Sequence, residues 1–211
     1  MKYRRFAGVV GFLGLAWASH AQIVYSNVIA TVAFTPEGFE QIEWVTEGSM
    51  NEVISFLAGE VPVIVGDATE HTTATVNILY EAHANFPMAD LGLFIQGEVQ
   101  EWGRITWTEI VEDMNNGNEV IGMASGMFLG AQHQGGVNGP INFSEQLTFS
   151  NSSTHIKVKK AFILDIAGQE LPTDTMAAIS LIEQNFIPEP ASFLAVGGAL
   201  LVMGLRRRRG R

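Results

Sequence analysis

The feature that most constrains the fold is a stretch of two-residue periodicity, from Thr73 to Ala82. Apolar side chains on one face alternate with threonine, asparagine and glutamate on the other, and only Leu79 breaks the pattern. This period, in a segment rich in threonine and β-branched residues, indicates a β-strand with one buried face. The rest of the body consists of short apolar runs that end at glycine, proline, asparagine or aspartate. The sequence therefore predicts an all-β fold of roughly nine to twelve strands, arranged as an antiparallel β-sandwich or jelly roll.

Two turn signals divide the longest apolar segments. Pro87 is expected to end the strand that begins at Thr73, and the next strand begins near Leu91. Asn151-Ser152-Ser153 is expected to turn the chain between two further strands. Proline removes a backbone donor, and Asn and Ser favour turns. The sequence therefore predicts separate strands on either side of each signal.

Three other segments complete the predicted body. Asn116-Gly117 lies between apolar runs and predicts a β-hairpin with a type I′ turn. Gly130 to Pro140 has four glycines and few apolar residues, which favours a surface loop. Residues 176–186 fit either a strand or one short helix. We predict a strand, because no other segment of the body has a helical period.

The amino terminus has the features of a secretory signal peptide. Three basic residues precede an apolar run at residues 6–18, and Ala21 supplies a small residue for cleavage before Gln22. This pattern predicts a signal helix at residues 1–21 and a mature body at residues 22–187.

The composition of that body restricts its partners. Residues 22–187 contain four basic and 21 acidic side chains, so their net charge is −17, whereas that of the whole chain is −10. Such a body repels nucleic acid and anionic membrane surfaces. The chain has no cysteine, which excludes disulfides, thiolate metal sites and cysteine nucleophiles.

The body's histidines are His71, His83, His133 and His155. No two of them have metal-ligand spacing within one element, so we predict no metal site and no cofactor. Glu81 and His83 are two apart on a strand and therefore share a face. Convergence with residues from other strands cannot be deduced from the sequence.

Carboxylates and tryptophans offer a second kind of candidate site. Glu101 and Glu109 could form the acid pair of a glycosidase, and Trp44, Trp102 and Trp107 could form a platform for sugars. Chance pairs are expected among so many acidic residues, and no nucleophile-elbow or phosphate-loop motif is present. The sequence therefore favours a body without catalytic residues.

The last two dozen residues combine three features in a fixed order. Pro188-Glu189-Pro190 is followed by an uncharged apolar run from Phe193 to Leu205 and then by Arg206, Arg207, Arg208 and Arg209. This order is typical of a membrane stop whose basic end stays in the cytoplasm. As a helix, residues 191–205 would be about 22 Å long, which is short for a hydrocarbon core of about 30 Å.

The tail resembles the PEP-CTERM sorting signal of Gram-negative bacteria that make exopolysaccharide. The resemblance implies that Pro188-Glu189-Pro190 is recognised by an exosortase, a membrane-embedded processing enzyme. It also implies that residues 193–205 form a transient transmembrane helix and that Arg206 to Arg209 form its cytoplasmic stop. The chain would then be the substrate of that enzyme, and residues 188–211 would be removed.

Together, these features predict an exported, acidic protein of the cell surface or extracellular matrix. Its expected partners are signal peptidase and the secretion machinery, the exosortase, the membrane before processing, and exopolysaccharide. The leading hypothesis for the body is a structural or adhesive role without catalysis. The alternatives are a carbohydrate-binding module for exopolysaccharide and, less favoured, a secreted hydrolase.

Overall fold

The computed structural model describes residues 22–36, 38–48, 51–58, 61–66, 69–167 and 174–188. In this part of the chain there are ten strands and one 3₁₀ turn, Met114–Asn116. The strands are β1 (Val24–Thr35), β2 (Gly38–Gln41), β3 (Trp44–Glu47), β4 (Val53–Phe56), β5 (Val63–Gly66), β6 (Thr73–Gln100), β7 (Arg104–Asp113), β8 (Glu119–Leu129), β9 (Gly139–Asp165) and β10 (Met176–Pro188). All strand pairs are antiparallel. The prediction of an all-β, antiparallel body is confirmed, and residues 176–186 belong to a strand.

Two long strands, β6 and β9, organise the fold. They pair with each other from Thr73↔Asp165 to Val99↔Gly139. The first half of β6 also pairs with β1, and its second half pairs with β10. Both strands therefore pass from one sheet into another. We call β2-β1-β6-β9-β7-β8 the first sheet, and β9-β6-β10 with β4, β5 and β3 the second sheet.

The passage between the sheets lies where the sequence predicts strand ends. In β6 the pairing with β9 shifts between His83 and Met88, a stretch that contains Pro87. In β9 it shifts between Thr148 and Ser153. Each strand bulges once and bends, but neither ends, so the predicted turns at Pro87 and at residues 151–153 are wrong. Proline is tolerated there because the bulge needs no ladder hydrogen bond from its nitrogen.

The core lies between the inner faces of the two sheets. Tyr80 of the first sheet contacts Phe186 of the second sheet, with ring centroids 6.3 Å apart. Trp107 packs against Phe143 at 5.6 Å. Small residues on β8 make room for this ring, since a Cβ on Gly126 would lie 2.6 Å from Trp107 Nε1. The two layers therefore form a β-sandwich with an aromatic interior.

The β7–β8 hairpin has a longer turn than the sequence predicts. Asp113 accepts a hydrogen bond from the Asn115 backbone nitrogen at 2.9 Å and caps the 3₁₀ turn. Positive φ angles occur at Gly117 and Asn118, with values of 65° and 64°. The left-handed pair is therefore shifted by one residue from the predicted Asn116-Gly117, because the 3₁₀ turn occupies the start of the connection.

The predicted chain ends lie largely outside the described residues. This applies to the signal peptide at residues 1–21 and to the tail from Glu189 onward. Pro188, the first residue of the predicted sorting signal, is also the last residue of β10 and pairs with Met88. Among the described residues, no helix is long and apolar enough to cross a membrane.

Candidate functional site

A groove of about 620 Å³ crosses the outer face of the second sheet. Strands β9, β6 and β10 each contribute side chains that alternation directs away from the core. These outward residues are Gly92, Phe94, Ser144, Gln146, Glu183, Asn185 and Ile187. The volume lies within the range of ligand pockets, about 300–1,000 Å³.

Strand register arranges these side chains in two rows. One row runs Ser144–Phe94–Glu183 across the three strands. The next row runs Gln146–Gly92–Asn185. Adjacent rows lie two residues apart along each strand, about 7 Å. An aromatic ring, a carboxylate, two amides and a hydroxyl are therefore grouped on one surface.

Gly92 keeps the middle of the second row open. A Cβ added there would lie 3.6 Å from the Asn185 carbonyl oxygen, which is an ordinary contact. Packing against the backbone therefore does not require glycine at this position. What the missing side chain provides is space between Gln146 and Asn185, beside the ring of Phe94.

The chemistry of the groove suits a neutral ligand with many hydroxyl groups. Amide groups both donate and accept hydrogen bonds, and carboxylates accept them. Phe94 is half-buried and offers an apolar surface. Of the outward side chains that line the groove, Glu183 is the charged one, and it is acidic. An anionic ligand would therefore meet repulsion here.

The three tryptophans predicted as a sugar platform do not form one. Trp107 is 1% exposed, inside the sandwich. Trp102 is half-buried in the turn between β6 and β7, where its ring packs against His133. Trp44 is 41% exposed on β3, 6.5 Å from the Tyr25 ring. The structure thus places one ring in the core and the other two in separate surroundings.

The two carboxylates predicted as a candidate acid pair have separate partners. Glu101 lies in the β6–β7 turn, where its carboxylate accepts hydrogen bonds from Gln132 and Asn138, each at 2.6 Å. These hydrogen bonds hold the pKa of Glu101 below its usual value. Glu109 lies on the inner face of β7 and is 1% exposed. The structure therefore does not assemble the two into a solvent-accessible pair.

Glu109 belongs instead to a buried polar cluster with Tyr80, Lys160 and Gln184. Lys160 Nζ donates to Glu109 Oε1 at 2.7 Å. Gln184 Nε2 donates to the same oxygen, and the Tyr80 hydroxyl donates to Gln184 Oε1. Among the described residues, Glu109 Oε2 has no hydrogen-bond partner. Because Gln184 belongs to the second sheet and the others to the first, the cluster joins the two layers.

The interior shifts the pKa values of this cluster. Burial lowers the pKa of Lys160, and the nearby Glu109 opposes that shift. Burial also raises the pKa of Tyr80, and the charge of Glu109 adds to the effect. Such shifts often mark active sites, but they also occur in structural ion pairs. Since all four side chains are buried, the cluster is closed to substrate.

The histidines are distributed over three places. His71 stacks on Phe34, with ring centroids 4.4 Å apart. His133 lies beside Trp102, with Nε2 3.1 Å from its carbonyl oxygen. His83 and His155 face each other across β6 and β9 on the outer face of the first sheet. The structure thus brings together two histidines for which the sequence predicted no metal site.

The groove was not predicted from the sequence, because only tryptophans were considered as rings that could contact a sugar. A local signal was present, since Leu93 and Ile95 follow the buried alternation and Phe94 between them must point outward. The partners of Phe94 on β9 and β10 depend on strand register, which the local pattern does not specify.

Comparison with known proteins gives no family assignment. No family model and no curated protein matches the chain. Among solved structures, TmCBM61 in complex with β-1,4-galactotriose matches with a TM-score of 0.34 and 12% identity, over 74% of this chain and 91% of that chain. Tailspike protein 4 of bacteriophage CBA120 matches with a TM-score of 0.33 and 11% identity, over 81% and 20%. The family 11 carbohydrate-binding module from Clostridium thermocellum matches with a TM-score of 0.27 and 7% identity, over 78% and 99%. TM-scores this low do not establish a shared site or ligand.

Proposed function

We propose that this chain is an exported, non-catalytic protein that binds a neutral glycan in the groove of the second sheet. The observation that carries the proposal is the grouping of Phe94 with Glu183, Asn185 and Gln146 across three adjacent strands. A pyranose ring has an apolar face of C–H groups and a rim of hydroxyls. The Phe94 ring matches the face, and the amides and carboxylate match the rim.

The charge of the groove and of the body narrows the ligand class. Glu183 supplies the negative charge on the groove surface, and no lysine or arginine among the described residues lines the groove. The body carries a net charge of −17 between Gln22 and Ile187. Both the local and the long-range fields therefore disfavour uronate or sulfate groups. A neutral hexose polymer is the class that fits.

The proposal includes no catalysis. Glycoside hydrolysis requires two carboxyl groups on either side of the scissile bond, about 5–9.5 Å apart. Of the two carboxylates first considered, Glu109 is closed off in the core and Glu101 is held in a surface turn. Glycan binding without cleavage suits the structural or adhesive role expected of a matrix protein.

Binding to a panel of neutral hexose oligosaccharides tests the proposed function. The purified protein should bind at least one member, and Phe94→Ala should weaken that binding roughly two- to tenfold, since a ring contact contributes about 0.5–1.5 kcal/mol. Gly92→Val should also weaken binding, because its side chain fills the groove while its Cβ makes only ordinary contacts. Phe39→Ala is the matched control, since Phe39 is 68% exposed on β2 of the first sheet.

The result that contradicts the proposal is equally specific. Failure to bind any neutral oligosaccharide would contradict it. So would binding that Phe94→Ala and Phe39→Ala weaken equally, or a preference for uronate-containing oligosaccharides over neutral ones.

Delivery to the cell surface forms the second part of the proposal. The supporting observation is the order of Pro188-Glu189-Pro190, the apolar run and the arginine block at the end of the chain. Glu189→Ala changes the motif without altering β10, which ends at Pro188. We expect the variant to retain its tail and remain with the membrane, as followed by mass and cell fractionation. Pro140→Ala at the exposed start of β9 is the control. Unchanged processing of Glu189→Ala would contradict the recognition role.

A further inference from the structure

Glu81, His83 and His155 converge on the outer face of the first sheet. His83 and His155 are directly opposite each other on β6 and β9. Glu81 is two residues before His83 and therefore points to the same side. One ligand atom from each residue lies within 4.8 Å of those of the other two. These three residues, called the Glu–His–His cluster, come from two strands that are already fixed by a continuous ladder.

The distances between ligand atoms in the cluster are close to those between ligand atoms that bind one metal ion. Glu81 Oε2 lies 3.2 Å from His155 Nε2. Ligand atoms that share a tetrahedral Zn²⁺ at about 2.0–2.1 Å are about 3.4 Å apart. The His83 and His155 rings are stacked, with centroids 3.4 Å apart and planes inclined by 27°. The stacked rings thus place one nitrogen of each histidine within 4.8 Å of the other and of a Glu81 carboxylate oxygen.

Two members of the cluster have shifted pKa values. Burial and repulsion from His155 lower the pKa of His83. Burial raises the pKa of Glu81, but hydrogen bonds from Asn27 and His155 and the charge of Lys157 outweigh it and lower the pKa. A neutral imidazole and an ionised carboxylate are the forms that bind metal ions.

Neighbouring residues hold the cluster in position. The Ser153 hydroxyl accepts a hydrogen bond from the His155 backbone nitrogen at 3.2 Å and lies 2.6 Å from Asp113 Oδ1. Asn27 has a φ of 53° beside the β1 bulge and hydrogen-bonds to Glu81. The Asn27 hydrogen bond to the Glu81 carboxylate is of the kind that orients ligands in metal sites.

We propose that Glu81, His83 and His155 form a binding site for one divalent transition-metal ion, with Zn²⁺ as its representative. Two imidazoles and one carboxylate favour Zn²⁺ and its neighbours over Ca²⁺ and Mg²⁺, which prefer oxygen ligands. Three protein ligands leave at least one coordination position open to water or to an oxygen atom of a ligand. The site is separate from the glycan groove, which lies on the outer face of the other sheet.

The place of the cluster in the fold gives the ion a structural consequence. The His83↔His155 pair is the last regular pair before β6 and β9 shift register and bend toward the second sheet. An ion that binds both strands there would join them at the bend. It should therefore protect the adjoining backbone from hydrogen exchange.

Calorimetric titration of the metal-free, full-length protein with Zn²⁺ tests the proposal, using a purification tag without histidines. We expect one Zn²⁺ per chain. His83→Asn and His155→Asn should each weaken binding at least tenfold, and the Zn²⁺-dependent rise in Tm should be lost. His133→Asn is the matched control, because His133 lies outside the cluster, beside Trp102.

A second variant tests the site by a gain of affinity. Lys157 Nζ lies 3.7 Å from Glu81 Oε1, so its positive charge opposes a cation. Lys157→Gln should therefore tighten Zn²⁺ binding severalfold at low ionic strength. The proposal is overturned by the absence of stoichiometric binding at 100-fold excess Zn²⁺, by equal losses in His83→Asn and His133→Asn, or by Ca²⁺ displacing Zn²⁺.

Discussion

Replacing Lys160 by methionine is the sharpest test of how the two sheets are held together. The Lys160 side chain is 0% exposed, and its ammonium donates to Glu109 Oε1 at 2.7 Å. Methionine retains much of the apolar stem but removes the charge. Glu109, itself 1% exposed, would then keep Gln184 as a donor but would lose its counter-ion. Lys160→Met therefore creates an uncompensated buried carboxylate.

The size of the effect follows from that loss. Removing one partner of a buried ion pair costs about 3–5 kcal/mol. A domain of this size has a free energy of unfolding of about 5–15 kcal/mol, so the loss is a large share. At about 2–4 °C per kcal/mol, the Tm should fall by about 6–20 °C.

A double variant separates the charge effect from a packing effect. Glu109→Gln in the Lys160→Met background removes the unpaired charge, and the new amide oxygen can still accept from Gln184. Replacing a whole buried pair is often neutral, so we expect the double variant to return to within about 1 kcal/mol of the original stability.

The assay is urea unfolding of the full chain, followed by tryptophan fluorescence. Lys159→Met is the matched control, because Lys159 is the neighbouring residue, is 45% exposed and pairs with Glu112 on the surface. An exposed pair contributes about 0–1 kcal/mol. The reasoning is refuted if Lys160→Met loses no more stability than Lys159→Met, or if the double variant is no more stable than Lys160→Met.

Three further changes test other parts of the structure. Gly126→Ala should cost about 1–3 kcal/mol in urea unfolding, because its Cβ would lie 2.6 Å from Trp107 Nε1, and an unchanged midpoint would contradict this packing. In an NMR titration, His83 should have a pKa below its ordinary value of 6.5. Glu81→Gln should lower the pKa of His83 further, because the negative charge of Glu81 raises that pKa. A higher pKa of His83 in Glu81→Gln would contradict this electrostatic effect. Because the pKa of His83 is lower in the folded protein than in the unfolded chain, the unfolded chain takes up the proton at a higher pH. The stabilising contribution of His83 is therefore fully present above about pH 6.5 and is lost as the pH falls through the pKa of the folded protein. Asn138→Ala should open the loop at residues 131–138 to proteolysis, because its amide oxygen accepts two backbone hydrogen bonds at 2.7 and 2.8 Å; cleavage at the original rate would count against this anchoring role.

The long strands show what local sequence can and cannot predict. Pro87 and residues 151–153 mark real interruptions of the β6–β9 ladder. The same local signal can indicate a turn or a bulge, however. What decides between them is pairing with β1 and β10, which are distant in the sequence. The sequence therefore predicts the positions of the irregularities but misses the bent strands that join the sheets.

For the buried Lys160–Glu109 pair and the Glu–His–His cluster on the outer face, the alternation of apolar and polar residues predicts faces but not partners. Lys160 lies on the same alternating face as Val158 and Phe162, so its inward direction could be read from the sequence. Its partner Glu109 could not, because the pairing of β7 with β9 is nonlocal. The same holds for His155 and Glu81, which are 74 residues apart. Local pattern assigns side chains to faces, and tertiary pairing determines which of them meet.

The most direct test of glycan binding is a map of backbone amide chemical shifts during titration with a neutral hexose oligosaccharide. The proposed function predicts saturable changes at Gly92, Phe94, Glu183 and Asn185, on the outer face of the second sheet. It also predicts little change at His83 on the outer face of the first sheet. Saturable changes confined to the first sheet, or none at any concentration, would contradict the groove as the binding site.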